Sequence, residues 1–159
     1  LFAEEFDREP TCSLEEGVKE FYNSNRHPIV IKELRMFTDN LAGTADLILL
    51  NEKSGNLIVA DWKTNENIYK NYKEKKLQYP FEDLLECPIN KHAIQLSYYK
   101  SIIEEKTSYK VEDTWVIWLS NKESKDFIRK GNNYTLISVP DLTKKVSERR
   151  RTSDLADFF

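Results

Sequence analysis

Only two cysteines occur in the 159 residues, Cys12 and Cys87, far apart and in no Cys-x-x-Cys pair. That excludes a disulfide-framed fold and a four-cysteine iron–sulfur cluster within this chain, and a reduced chain is the plain reading. Histidine is as scarce. His27 precedes Pro28 at the start of a strand pattern and reads as a loop residue, and His92 reads as a helix cap. Neither is expected to be a metal ligand. No apolar run approaches the roughly 20 residues of a membrane span, and no signal-peptide pattern is visible, so no membrane contact is expected. The first residue is Leu1 rather than Met, which suggests a fragment whose upstream segment is missing.

A basic excess is missing too: 24 Lys and Arg stand against 27 Asp and Glu, for a net charge of −3. The average surface is therefore not that of a polyanion binder, but the charge is patchy. Lys70, Lys73, Lys75 and Lys76 form one basic stretch, and Lys144, Lys145, Arg149, Arg150 and Arg151 form another. A local basic face binds phosphates whatever the net sign, although ordinary solvation explains any single lysine equally well. Against these scarcities stand 40 % hydrophobic and 12 % aromatic residues, enough for a core and too many for a disordered chain. One domain over residues 1–159 is expected, with its core at about 28–140.

Ser13-Leu14-Glu15-Glu16 resembles a capping box, and Leu14, Val18, Phe21 and Tyr22 follow at helical spacing, so 14–23 is predicted as a short helix. Residues 28–37 read as a strand, interrupted by Glu33 and Arg35. Apolar runs at 44–51 and 56–62 bracket a polar stretch containing Ser-Gly, the pattern of a hairpin. Residues 65–80 look like a mobile, lysine-rich connection leading to a short helix after Pro80. Residues 91–105 carry the strongest helical periodicity, 114–119 and 134–139 read as strands, and 141–151 as a charged helix. The tail to Phe159 is ambiguous. The order predicts an α/β sandwich with a mixed central sheet flanked by helices.

The hairpin carries the chemistry. Asp46 begins its first strand and Asp61 ends its second, fifteen residues later, so the two carboxylates should be neighbours across the ladder. Alternation puts Asp61 and Lys63 on one face and the Trp62 ring on the other, in the core. Two acids and a lysine in this arrangement suit metal-dependent phosphodiester cleavage. Mg²⁺ or Mn²⁺ would be held by Asp46, Asp61 and the Trp62 carbonyl, and Lys63 would orient the attacking water or steady the transition-state charge. The plainer alternative is a hairpin whose acids and lysine merely form surface pairs.

With Gly43, Asp46, Asp61, Lys63 and Thr64 in the pattern Gly-x-x-Asp, hairpin, Asp-x-Lys-Thr, the chain resembles the PD-(D/E)xK nuclease superfamily in its RecB-like exonuclease branch. Gln95 and Tyr99 match the Gln-x-x-x-Tyr helix of that branch, and Glu33 resembles an acid often found in the preceding strand. The similarity covers about residues 30–120 and extends to mitochondrial genome-maintenance and phage or viral exonucleases. It implies a restriction-endonuclease-like fold, Mg²⁺ or Mn²⁺, and DNA as substrate, single-stranded or at duplex ends. Gln95 and Tyr99 would then reach the DNA backbone or the edge of the site, and Tyr69, Tyr72 and nearby lysines would line its mouth. Many relatives carry a further ligand on the first helix, for which Glu16 and Glu20 are the candidates, and helix-surface solvation explains both. The resemblance also implies partner domains or proteins of a recombination or replication complex. The missing export signal and the reduced cysteines, by themselves, point to a cytoplasmic protein, bacterial or virus- or phage-encoded, or to another nucleic-acid-containing compartment. A non-cleaving nucleic-acid-binding module and a site-specific restriction-type endonuclease are the alternatives.

Overall fold

The computed structural model describes residues 8–39, 41–124 and 126–151. Strands lie at Ile29–Thr38 (β1), Leu41–Asn51 (β2), Asn56–Lys63 (β3), Val111–Trp118 (β4), Phe127–Lys130 (β5) and Thr135–Ser138 (β6). Helices lie at Ser13–Ser24 (α1), Pro88–Lys106 (α2) and Thr143–Arg151 (α3). The strands make one open mixed sheet in the order β1-β2-β3-β4-β6-β5. Only the β3–β4 pair is parallel, joined by the crossover through α2. The chain is thus an α/β protein with helices on both faces of the sheet. Among the described residues no helix is long and apolar enough to cross a membrane, and both cysteines are free thiols.

Period-two alternation sorts the central strands into two cores. Ile58 and Ala60 of β3 join Leu47 and Leu49 of β2 under Val18 and Phe21 of α1. Leu57 and Val59 join Ile48 on the opposite face, beneath Ala93, Leu96 and Tyr99 of α2 and Val146 of α3. In β2 the alternation then breaks. Ala45 and Leu41 pack on the α2 side, although strict period two would put residue 45 with Leu47. Across the ladder, β1 resets at the same level. Lys32 lies over the Tyr22 ring of α1, 5.4 Å from its centroid, whereas Leu34 packs on the α2 side. Between them Glu33 adopts a left-handed φ of 53°, which costs an ordinary residue about 1–2 kcal/mol. The two resets face each other: Lys32 pairs with Leu47 and Leu34 with Ala45, which leaves Glu33 opposite Asp46.

Several expectations need correction. The first helix is capped at Cys12, which makes no side-chain capping bond. Glu15 instead reaches back to the amide and hydroxyl of Thr11, at 2.7 and 2.9 Å, so the reciprocal box over Ser13 does not form. The second long helix starts at Pro88 rather than 91, because proline at the first helical position gives up no hydrogen bond. Strand β5 was not anticipated; it is four residues long, at a sheet edge, and three of the four are exposed, so it shows no apolar pattern. The ambiguous tail beyond Arg151 lies outside the described residues.

The lysine-rich connection is the largest correction. No short helix forms directly after Pro80; residues 82 and 83 make a turn and Leu85 a bridge to Lys76. Residues 75–77 and 84–86 fold into a small antiparallel arch, through Leu77 N–H to Leu84 O at 3.0 Å and Glu86 N–H to Lys75 O at 2.7 Å. The Asn71 amide donates to both strands of that arch, to Lys75 O at 2.8 Å and Glu86 O at 2.9 Å. Ile68 is fully buried, and Trp118 Nε1 holds Asn65 O at 2.7 Å. Polar composition conceals these ties because most of them run from side chain to backbone. Asn71→Ala should therefore destabilise the protein by about 1–2 kcal/mol and speed amide exchange within 75–86. Unchanged exchange there would show that the arch does not depend on this clamp.

Candidate active site

The backbone ladder between β2 and β3 ends at the Leu47–Ala60 pair. One step further the strands part, and two side chains replace the missing backbone acceptors. Asp46 N–H donates to Asp61 Oδ1 at 3.0 Å, and Trp62 N–H donates to Asp46 Oδ2 at 2.8 Å. The two carboxylates therefore close the gap where the strands splay. In extended backbone the N–H and C=O of one residue point to the same side, so the Trp62 carbonyl also points towards Asp46. Lys63 O, one residue on, points the other way and accepts Leu119 N–H of the chain beyond β4, at 2.9 Å.

From Asp61 a hydrogen-bonded chain crosses to α2 and returns to β2. Lys63 Nζ lies 3.0 Å from Asp61 Oδ2 and 3.3 Å from Gln95 Oε1. Gln95 Nε2 donates to the Tyr99 hydroxyl at 2.8 Å, and that hydroxyl also takes the Thr44 backbone amide. The circuit runs Asp46, Asp61, Lys63, Gln95, Tyr99, Thr44. It requires glycine at 43, because a Cβ there would sit 2.6 Å from the Tyr99 ring. Beside it, Leu41–Thr44 and the Gln95–Tyr99 face enclose a cleft of about 320 Å³.

The electrostatics follow from burial. Asp61 is 3 % exposed and Asp46 is half-buried. Desolvation, then the Asp61 charge, push the Asp46 carboxyl up to about 6, with Glu33 adding a smaller rise. Burial, then Asp61, raise the Tyr99 hydroxyl above its ordinary value, so it stays neutral while it accepts from Gln95 and Thr44. His92 is driven down to about 4 by burial and then by Lys63. At neutral pH it adds no second positive charge beside the lysine.

These residues fit a hard divalent cation. Asp46 Oδ1 makes no hydrogen bond among the described residues, the Trp62 carbonyl is aimed at the same gap, and a cation would offset the burial and the Asp61 charge that together raise Asp46. Among the described residues no three His, Cys, Asp or Glu side chains converge on one point, so backbone and water oxygens would complete the shell. Of the residues singled out by sequence, Asp46, Asp61, Lys63, Gln95 and Tyr99 come together, whereas Glu33 is exposed on β1 opposite Asp46. The Trp62 ring packs at 5.3 Å from Phe21, in the α1-side core. Tyr99, 5 % exposed, braces the edge of the site from within and does not present a free surface.

Glu20 stays with α1. Its carboxylate accepts the Asn132 and Asn133 amides at 2.8 and 3.1 Å and closes the β5–β6 turn. His27 sits in the loop as expected, 5.7 Å from the Trp115 ring. His92 is not a cap: it lies within α2, one turn before Gln95, and its Nε2 meets Asn65 Oδ1 at 2.9 Å. The spacing 92, 95, 99 marks one helix face and was the available signal.

A raised carboxyl binds its proton more tightly in the folded state, so its stabilising contribution is present below about pH 4 and is lost as pH rises through about 6. Asp46→Asn should accordingly stabilise the metal-free protein at pH 7.5 by about 1–2 kcal/mol, allowing for partial exposure, and change little at pH 4. Thermal unfolding in EDTA at the two values checks this; equal effects at both would refute the electrostatic account. Gly43→Ala should cost about 1–3 kcal/mol through overpacking, and the added change Tyr99→Ala should recover part of it. Searches with this sequence found no matching protein-family model and no matching curated protein.

Proposed function

We propose that this chain is a divalent-metal-dependent nuclease of the PD-(D/E)xK type, in its RecB-like exonuclease branch, built on a restriction-endonuclease-like sandwich. It would hydrolyse phosphodiester bonds in single-stranded DNA or at duplex ends, as an end- or flap-processing enzyme of recombination, repair or replication. The observation that carries the reading is the splayed end of the β2–β3 hairpin, where Asp46 and Asp61 meet and Lys63 pairs with Asp61 at 3.0 Å. An ordinary surface pair would not be half-buried, backed by a helix and matched to a glycine.

Asp46, Asp61 and the Trp62 carbonyl would hold Mg²⁺ or Mn²⁺, which when bound polarises the phosphate and makes water a better nucleophile. The protein's own groups do the rest. Lys63, shared between Asp61 and Gln95, is fixed where its ammonium donates to the attacking water or to the negative charge growing on phosphorus-bound oxygen. As the water oxygen bonds to phosphorus, the ester P–O bond breaks and the leaving oxygen takes a proton. Gln95 and Tyr99 act through Lys63 and are positioning residues.

The test is cleavage of end-labelled linear and circular DNA, single- and double-stranded, with Mg²⁺, Mn²⁺ or EDTA. Metal-dependent loss of linear but not circular DNA, absent in Asp61→Asn, is the expected result; full activity of Asp61→Asn would remove the hairpin from the mechanism. Lys63→Ala should remain folded, bind DNA and turn over about 10²–10³-fold more slowly. DNA binding without cleavage under every metal would leave a binding module in place of an enzyme.

A further inference from the structure

The arch at 75–86 leans on the first turns of α2 and encloses a second pocket of about 240 Å³. Phe81 and Ile94 form its apolar floor, and Lys75, Lys76 and Lys91 stand around it. One acid is present, Glu86, held between Lys75 at 2.8 Å and Lys91 at 3.0 Å. These two ammonium groups keep the Glu86 carboxyl below its ordinary value, so it is charged. Three ammonium groups against one carboxylate leave two positive charges uncompensated, in a chain whose net charge is −3.

The wall is built rather than incidental. Tyr72 to Lys75 form a tight turn with Lys73 and Glu74 both left-handed, at φ 53° and 55°, closed by Lys75 N–H to Tyr72 O at 3.1 Å. Two such residues in succession are unfavourable without glycine, and the Asn71 clamp holds the backbone that follows them. Three of the C-terminal basic residues, by contrast, are already engaged, two of them with the outer part of the arch. Lys145 pairs with Asp83, Arg149 donates to Tyr79 O at 2.9 Å, and Arg150 meets Glu105 at 2.6 Å.

We propose that this pocket receives the terminal phosphate of a nucleic-acid strand whose phosphodiester lies at the Asp46–Asp61 gap. The assignment rests on the nuclease reading above. A terminal phosphomonoester carries close to two negative charges, where an internal diester carries one, and two is the charge the pocket lacks. The volume is below that of a pocket for a whole drug-sized ligand and suits one strand end. Position agrees: Lys91 stands four residues before Gln95 on α2, about 6 Å of helix rise, and Gln95 bonds the Lys63 that pairs with Asp61.

The experiment is fluorescence anisotropy in EDTA with oligothymidylates bearing a 5′ phosphate, a 3′ phosphate or hydroxyl ends only. One phosphorylated end should bind at least about fivefold more tightly than the hydroxyl-ended strand. Lys76→Gln combined with Lys91→Gln should erase that preference, while Glu86→Gln, which removes the internal counter-charge, should widen it by a similar factor. A gain of affinity cannot come from misfolding. No preference, or a preference untouched by the lysine changes, would overturn the proposal. So would inorganic phosphate that competes as well as the phosphorylated strand, since the pocket would then serve a free anion. A lysine-dependent preference in a protein that cleaves nothing would keep the pocket and refute the nuclease. Asp61-dependent cleavage without the preference would do the reverse.

Discussion

Everything at the candidate site depends on one exchange: two aspartates accept the backbone amides that a continuous ladder would have paired with carbonyls. Asp61 takes Asp46 N–H and Asp46 takes Trp62 N–H. The strands can separate there without leaving buried donors unsatisfied, and separation opens the space in which a cation fits. The same bonds fix each carboxylate by one oxygen, so the acids are oriented before any ligand arrives. The cost falls on Asp46, whose carboxyl is raised by burial first and by the Asp61 charge second.

The rest of the circuit keeps that arrangement in place. Among the described residues Lys63 is the one positive side chain bonded to the pair, and it is itself held from α2 by Gln95, whose amide is set by Tyr99. Each polar member has a named partner, as a buried network requires. The neutral His92 at the next turn keeps a second cation away from Lys63 while tying Asn65 to the helix. The geometry of the candidate site and the docking of the helix are thus the same set of contacts.

Much of this was legible in the chain. The hairpin strands, the first strand, the long central helix and the Asp46–Asp61–Lys63 meeting follow from period-two and period-3.6 patterns, which report burial directly; Gln95 and Tyr99 were reached only through the family resemblance. What the patterns could not show were features made by side-chain-to-backbone bonds. The arch at 75–86 has polar composition yet is pinned by Asn71; the splay of β2 from β3 follows from two carboxylates; the paired resets at Glu33 and Asp46 break the periodicity on which strand reading relies. Strand β5, short and exposed, buries too little to leave a signal. Basic residues near the C-terminus read as a phosphate-binding face because sequence shows charge and not partners. Three of them in fact fasten α3 to its neighbours.

The position of Lys63 on the same strand as Asp61 also bears on the order of assembly. A β-hairpin closes in microseconds over a short loop, whereas a parallel pair joined through a helix must first close a much longer one. On these timescales the hairpin that joins Asp46 to Asp61 can close before α2 docks and brings Gln95. A counter-charge delivered by a distant element would come too late to offset their repulsion in the nascent hairpin. Two residues from Asp61 and on its face, Lys63 is at hand as soon as the carboxylates meet, whatever part it plays in the proposed chemistry.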